Sequence, residues 1–242
     1  MHTIGLIGGM SWESTAIYYR LINELVRDRL GGVHSAKVLL DSVDFAEIEV
    51  LQRTDRWEEA GGRLAEAARR IEAAGADCIL ICANTMHKVA PAVTAAVRVP
   101  LIHIVDATAA QLRSRGSSRP LLLATRYVME QDFYTGRLSG TFGIEAHVPG
   151  AEDRAILHAI IFNELVRGIV RAESKARCLD MIARGRQAGC DGVIFGCTEI
   201  GMLLSQDDVA EPAFDTAAIH AAAAVDFALA AEPVSSPHKV PA

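Results

Sequence analysis

Two cysteines sit where acid–base chemistry could be done. Cys82 ends an apolar run and is followed by Ala83-Asn84-Thr85-Met86-His87; Cys197 ends another and is followed by Thr198-Glu199-Ile200. A thiol titrates within reach of neutral pH, so it serves either as a thiolate base or as a thiol acid. The stretch Ala74-Gly75-Ala76-Asp77 through Cys82 echoes Ala188-Gly189-Cys190-Asp191 through Cys197, with Cys82 seven residues after Gly75 and Cys197 eight after Gly189. Ligands of open α/β sheets bind beyond the carboxyl ends of strands. Two such units facing each other would put one thiol on either side of a cleft. One thiol would then remove a proton from one face of a carbon while the other delivers a proton to the opposite face, inverting a stereocentre.

The polar residues after Cys82 predict a helix N-terminus whose N–H groups would lower the thiol pKa and hold a carboxylate, with Asn84 and Thr85 adding hydrogen bonds. The plainer reading of any such cysteine is a small buried hydrophobe. That reading suits Cys78, and Cys178 and Cys190, in a helix and its exit turn, receive no role. Cys78, Cys82 and His87 lack a closing ligand pair for zinc, so no metal is expected. The cluster Gly5-Leu6-Ile7-Gly8-Gly9-Met10 lacks the G-x-G-x-x-G spacing of a dinucleotide site. It predicts a tight strand-to-helix turn open to a small ligand.

The elements that position these residues alternate. Ile4–Ile7, Val38–Leu40, Cys78–Ile81, Leu101–Val105, Leu121–Leu123 and Val193–Phe195 predict buried strands of a mostly parallel sheet. Ile17 to Val26, Arg63–Ala74, Ile156 to Val170 and Lys175–Gln187 predict helices. The fold class is α/β, and the echo suggests two related α/β lobes facing each other across a cleft. The first lobe is expected over 1–105 plus 215–231, the second over 106–214, and a frayed tail over 232–242.

The chain has 242 residues, 24 Lys+Arg against 30 Asp+Glu, and a net charge of −6. This is enough chain for a core without staples, and the mild acidity argues against a nucleic-acid partner. No apolar run approaches the roughly 18 residues of a membrane span. Met1-His2-Thr3 runs directly into the first strand without a signal peptide's basic and apolar regions, so a cytoplasmic protein with free thiols is expected.

Ile7-Gly8-Gly9-Met10-Ser11-Trp12-Glu13-Ser14-Thr15, the Cys82–His87 motif, Pro100–Thr108, Thr125–Leu138 and Gly196–Ile200 together resemble the aspartate/glutamate racemase family over about residues 1–231. The resemblance implies two Rossmann-like lobes with parallel sheets related by pseudo-twofold symmetry. The implied activity is that of a cofactor-independent amino-acid racemase, without pyridoxal phosphate or metal, that is frequently a homodimer. It implies Cys82 and Cys197 as the acid–base pair, and Met10, Asn84, Thr85, Thr125, Thr198 and Glu199 around the substrate. For the substrate side chain it points to Gln52 and Arg53, in Gln52-Arg53-Thr54. Val166 stands where aspartate racemases of this family carry a lysine, which leaves aspartate, glutamate or a neutral amino acid as the substrate. Two other functions stay open: decarboxylation or cis–trans isomerisation of small dicarboxylic acids, and non-catalytic binding of an acidic metabolite.

Overall fold

Strand β1 (Ile4–Gly8) is buried at all five positions, which suits the centre of a sheet covered on both faces. It pairs in parallel with β2 (Val38–Ser42) on one side and β3 (Cys78–Ile81) on the other, Ile4 lying opposite both Val38 and Cys78. A second parallel sheet has β5 (Val193–Gly196) at its centre, flanked by β4 (Leu121–Ala124) and β6 (Ala213–Asp215). The computed structural model describes residues 1–230, so the tail expected over 232–242 lies outside the described residues.

Helices α1 (Trp12–Leu30), α2 (Phe45–Arg53), α3 (Trp57–Ala73) and α4 (Ala90–Ala96) accompany the first sheet. Helices α5 (Ile104–Ser114), α6 (Arg126–Glu130), α7 (Asp132–Phe142), α8 (Ala151–Asn163) and α9 (Ala172–Gln187) come next in the chain, around the second. Helix α10 (Thr216–Leu229) leaves β6 and returns to the first sheet. There Ala217, Ala221, Ala224 and Val225 join one core with Tyr18, Ile22, Val26, Leu80 and Cys82. Among the described residues no helix is long and apolar enough to cross a membrane.

The two echoing segments fold alike. Gly75 and Gly189 both take positive φ, 97° and 84°, which glycine adopts without steric cost. Two residues on, the Asp77 carboxylate accepts the Thr3 N–H at 2.6 Å. Asp191 accepts the Ser118 and Arg119 N–H groups at 2.7 and 2.9 Å. Each aspartate thus ties a helix-to-strand turn to the approach of the neighbouring strand.

Three expectations need correction. Leu101–Val105 is not a strand: Leu101 makes one parallel bridge to Ile79, and the His103 side chain then caps α5 by accepting the Val105 N–H at 3.2 Å. The helix expected from Ile156 to Val170 ends at Asn163. Glu164 leaves helical geometry, and a single 3₁₀ turn (Leu165–Arg167) closes on Gly168 at φ 69°. Strand β2 is a half-buried edge rather than a buried strand.

Candidate active site

The carboxyl ends of four strands converge. Met10 after β1, Ala83, Asn84 and Thr85 after β3, Thr125 after β4, and Gly196 to Glu199 at the end of β5 line one cleft. Phe45 and Gln52 of α2, Ile161 and Phe162 of α8, and Val166 complete its wall. Apolar side chains with convergent polar groups at strand carboxyl ends are the lining of a small-ligand site. Gly9, at φ 91°, makes the turn before Met10 possible, because a Cβ there would meet the Val43 carbonyl at 2.1 Å.

Cys197 presents its thiol to this cleft, and Glu199 holds the thiol. The Cys197 Sγ–H donates to Glu199 Oε2 at 2.9 Å. Thr198 donates to the same oxygen at 2.8 Å, and Ser11 donates to Oε1 at 2.7 Å. Ser11 caps α1, so the carboxylate also joins the two lobes. Burial pushes the Cys197 thiol well above its ordinary pKa, and the Glu199 charge and hydrogen bond push it further. The backbone N–H groups of Glu199 and Thr198 pull the other way without prevailing. The bond lets a proton pass between sulfur and carboxylate without either charge entering an apolar environment alone.

Cys82 lies elsewhere than expected. Alternation along β3 sends Cys78, Leu80 and Cys82 to one face, where Cys82 is fully buried with Tyr18 and Ala217. Ile79, Ile81 and Ala83 point to the other face, and it is Ala83 that lines the cleft. The expected pairing of Cys82 with Cys197 across the cleft is therefore not formed. The lowered thiol pKa expected for Cys82 is corrected too, since burial alone pushes it up. Beyond Cys82 a helix begins as expected, first as a 3₁₀ stretch, Thr85–Val89, that runs directly into α4.

Polar groups of the cleft are arranged to receive donors. Thr216 donates to the Phe195 carbonyl at 2.7 Å and so accepts from Asn84 Nδ2 at 2.9 Å. This fixes the Asn84 amide and leaves its buried Oδ1 unpartnered among the described residues. Gln52 likewise leaves Oε1 unpartnered among those residues, while Nε2 contacts Met86 Sδ at 3.0 Å. Thr85 and Thr125 join across the lobes, hydroxyl to hydroxyl, at 2.9 Å.

Arg53, expected beside Gln52, is absent from the wall. Its side chain is 64% exposed and lies 3.5 Å from Glu49. Among the described residues the cleft has no Lys or Arg in its wall, and its apolar lining includes Phe45, Ile161, Phe162 and Val166. The Phe45 and Phe162 rings stack with centroids 6.3 Å apart. Among the described residues no three His, Cys, Asp or Glu side chains are grouped to hold a metal.

Several contributors are not evident from sequence: Ser11, Ala83, His87, Thr216 and the apolar wall residues. His87 Nδ1–H donates to the Ala83 carbonyl at 2.9 Å, and its Nε2 accepts the Ile104 N–H at 3.2 Å. The ring is thus a neutral brace under the strand end, and burial holds its pKa well below the ordinary value. A usable signal for Ala83 does exist, because it lies eight residues after Gly75, as Cys197 lies eight after Gly189.

Comparison with known proteins agrees with this architecture. A profile of the Asp/Glu/hydantoin racemase family matches residues 7–224. A Yersinia pestis structure described as a candidate Asp/Glu racemase is 50% identical, with a TM-score of 0.88, covering 95% of this chain and 100% of that one. An aspartate racemase homologue from Pyrococcus horikoshii OT3 is 36% identical, with a TM-score of 0.83, covering 94% of this chain and 99% of that one. Picrophilus torridus aspartate racemase shares the fold at 20% identity, with a TM-score of 0.74 and 94% of both chains covered. On this match across most of its length, the chain belongs to the Asp/Glu/hydantoin racemase family and is an enzyme of the racemase class.

Proposed function

We propose that the protein interconverts the L and D forms of an amino acid with an uncharged, medium-sized side chain, using Cys197 as its acid–base thiol. The carrying observation is the cleft itself: a thiol held by a buried carboxylate and, among the described residues, a wall without Lys or Arg that includes Phe45, Ile161, Phe162 and Val166. Asn84 Oδ1 is an acceptor without a partner among those residues and suits the substrate ammonium. The Thr85–Thr125 pair spends one hydroxyl proton on its mutual bond and keeps the other for the substrate carboxylate, whose negative charge grows as the α-carbon loses its proton. Gln52 Oε1, buried and likewise unpartnered, would accept a hydrogen bond from a polar but uncharged side chain.

A side-chain carboxylate is disfavoured on the same grounds. It would be desolvated against Phe45, Phe162 and Val166 with no cation to pair it, which costs several kcal/mol. Arg53 would have to leave Glu49 and water to reach it.

The test is a panel of L- and D-amino acids incubated without added cofactor and read by chiral chromatography. Neutral polar and short aliphatic amino acids should convert at least tenfold faster than aspartate or glutamate, and Arg53→Ala should leave their KM within about twofold. Aspartate as the best substrate, with its turnover lost in Arg53→Ala, would refute the reading.

A further inference from the structure

We infer that this is a one-thiol site, in which Ala83 occupies the place of a second thiol and makes proton exchange at the substrate α-carbon one-sided. The inference rests on the racemase reading above and deepens it.

Internal symmetry carries the argument. The segments from Ala74 and Ala188 align without a gap: Gly75 with Gly189, both at positive φ; Asp77 with Asp191, both holding backbone N–H groups; Cys82 with Gly196; and Ala83 with Cys197. Ala83 and Cys197 are thus equivalent exit residues of β3 and β5, and both line the cleft. Cys82, by contrast, is fully buried with Tyr18, Leu80 and Ala217 on the far side of the strand. Just past the end of β3, Cys82 joins the core on one face of the sheet and Ala83 the core on the other, and only Ala83 lines the cleft. The His87 bond to the Ala83 carbonyl holds the strand end in that register.

This placement dictates the proton path. When Glu199 takes the Cys197 proton, the thiolate removes the α-proton from the substrate face it meets, and the C–H electron pair passes into the carboxylate-stabilised carbanion. Returning a proton from Cys197 to the same face gives exchange with retention. Inversion needs a proton on the Ala83 side, where the methyl group has none to give. Water must supply it there, and the hydroxide left behind is neutralised by the proton held between Cys197 and Glu199. The enantiomer whose α-hydrogen faces Cys197 therefore exchanges faster than it inverts.

The experiment tracks the best-converted amino acid of the panel in D2O, with loss of the α-proton signal read by NMR and inversion by chiral chromatography. We expect one enantiomer to exchange at least tenfold faster than it inverts. Ala83→Cys should raise inversion about tenfold or more toward the exchange rate, and Cys82→Ala should leave both rates within about twofold. Equal exchange and inversion from both enantiomers, or loss of inversion in Cys82→Ala, would overturn the inference while leaving the racemase reading intact. A second measurement needs no turnover: alkylation of the native protein by iodoacetamide, mapped by mass spectrometry. Labelling of Cys197 at least tenfold faster than Cys82 supports a one-thiol cleft, and equal labelling overturns it. If no amino acid exchanges its α-proton, the racemase reading fails, and the labelling ratio still decides the one-thiol inference.

Discussion

Glu199 does two opposing things to the Cys197 thiol. Its negative charge and its hydrogen bond both stabilise the protonated form, adding to the effect of burial. Yet the same carboxylate oxygen, 2.9 Å away, accepts the thiol's hydrogen bond, and so it is the place for the proton when a thiolate is needed. Replacing it by glutamine separates the two effects. Glu199→Gln should lower turnover about 100- to 1,000-fold, the scale of a lost general base, with a much smaller change in KM. Removing the charge should also lower the Cys197 pKa, so the pH profile of its alkylation should move to lower pH. A profile that stays in place, or moves to higher pH, would mean that Glu199 does not set the thiol's ionisation.

At the scale of elements, the site depends on the exit of β3 being held still, and His87 holds it. His87→Leu would strip the Ala83 carbonyl and the Ile104 N–H of their partner, each a buried group whose desolvation costs about 1–3 kcal/mol when unmet. Urea denaturation should therefore show a loss of about 2–5 kcal/mol; a loss below about 0.5 kcal/mol would mean the brace is not needed. The residues around this strand show where legibility from sequence stops. The apolar runs that form β1, β3, β4 and β5 stand out, as does the Ala-Gly-x-Asp echo, because a strand buried on both faces must be apolar throughout. For the same reason the run Cys78–Ile81 carries no phase. Nothing in it tells which alternate residues face the cleft, and only the spacing from the echo, eight residues from Gly75 to Ala83 as from Gly189 to Cys197, separates Cys82 from Ala83. Three-residue β6 is too short to give a periodic signal, and Leu101 finds a strand partner at one residue only. The side-chain pocket is equally hidden, because Phe45, Phe162 and Val166 come from separate elements. Arg53 sits next to Gln52 in sequence yet points into solvent, since adjacent residues on a helix face different directions.

Across the whole molecule, the return of α10 to the first sheet after β6 makes the lobes one unit, and His220 fastens that return. Its Nε2–H donates to the Ile102 carbonyl at 2.7 Å, so its Nδ1 accepts the Tyr18 hydroxyl at 2.8 Å. The Tyr18 contact, in which Nδ1 accepts, needs the neutral ring. Burial lowers the His220 pKa to about 4, with the Ile102 bond opposing and His103 adding slightly to the fall. His87 lies against the same ring at 5.7 Å and is itself held neutral by burial. The unfolded chain titrates this imidazole near 6.5, so it binds more protons than the folded protein between about pH 6.5 and 4. Stability must then fall as the pH drops through that window and level off, for this group, below about 4. Between pH 7 and 5, above the range of ordinary carboxylates, His220 alone should contribute a loss of about 2 kcal/mol. Urea midpoints at pH 7 and 5 measure the total. In His220→Gln, which no longer titrates, the difference between the two pH values should shrink by about that amount. An unchanged difference would show that acid sensitivity comes from another buried group, His87 or His103, rather than from the crossover that joins the lobes.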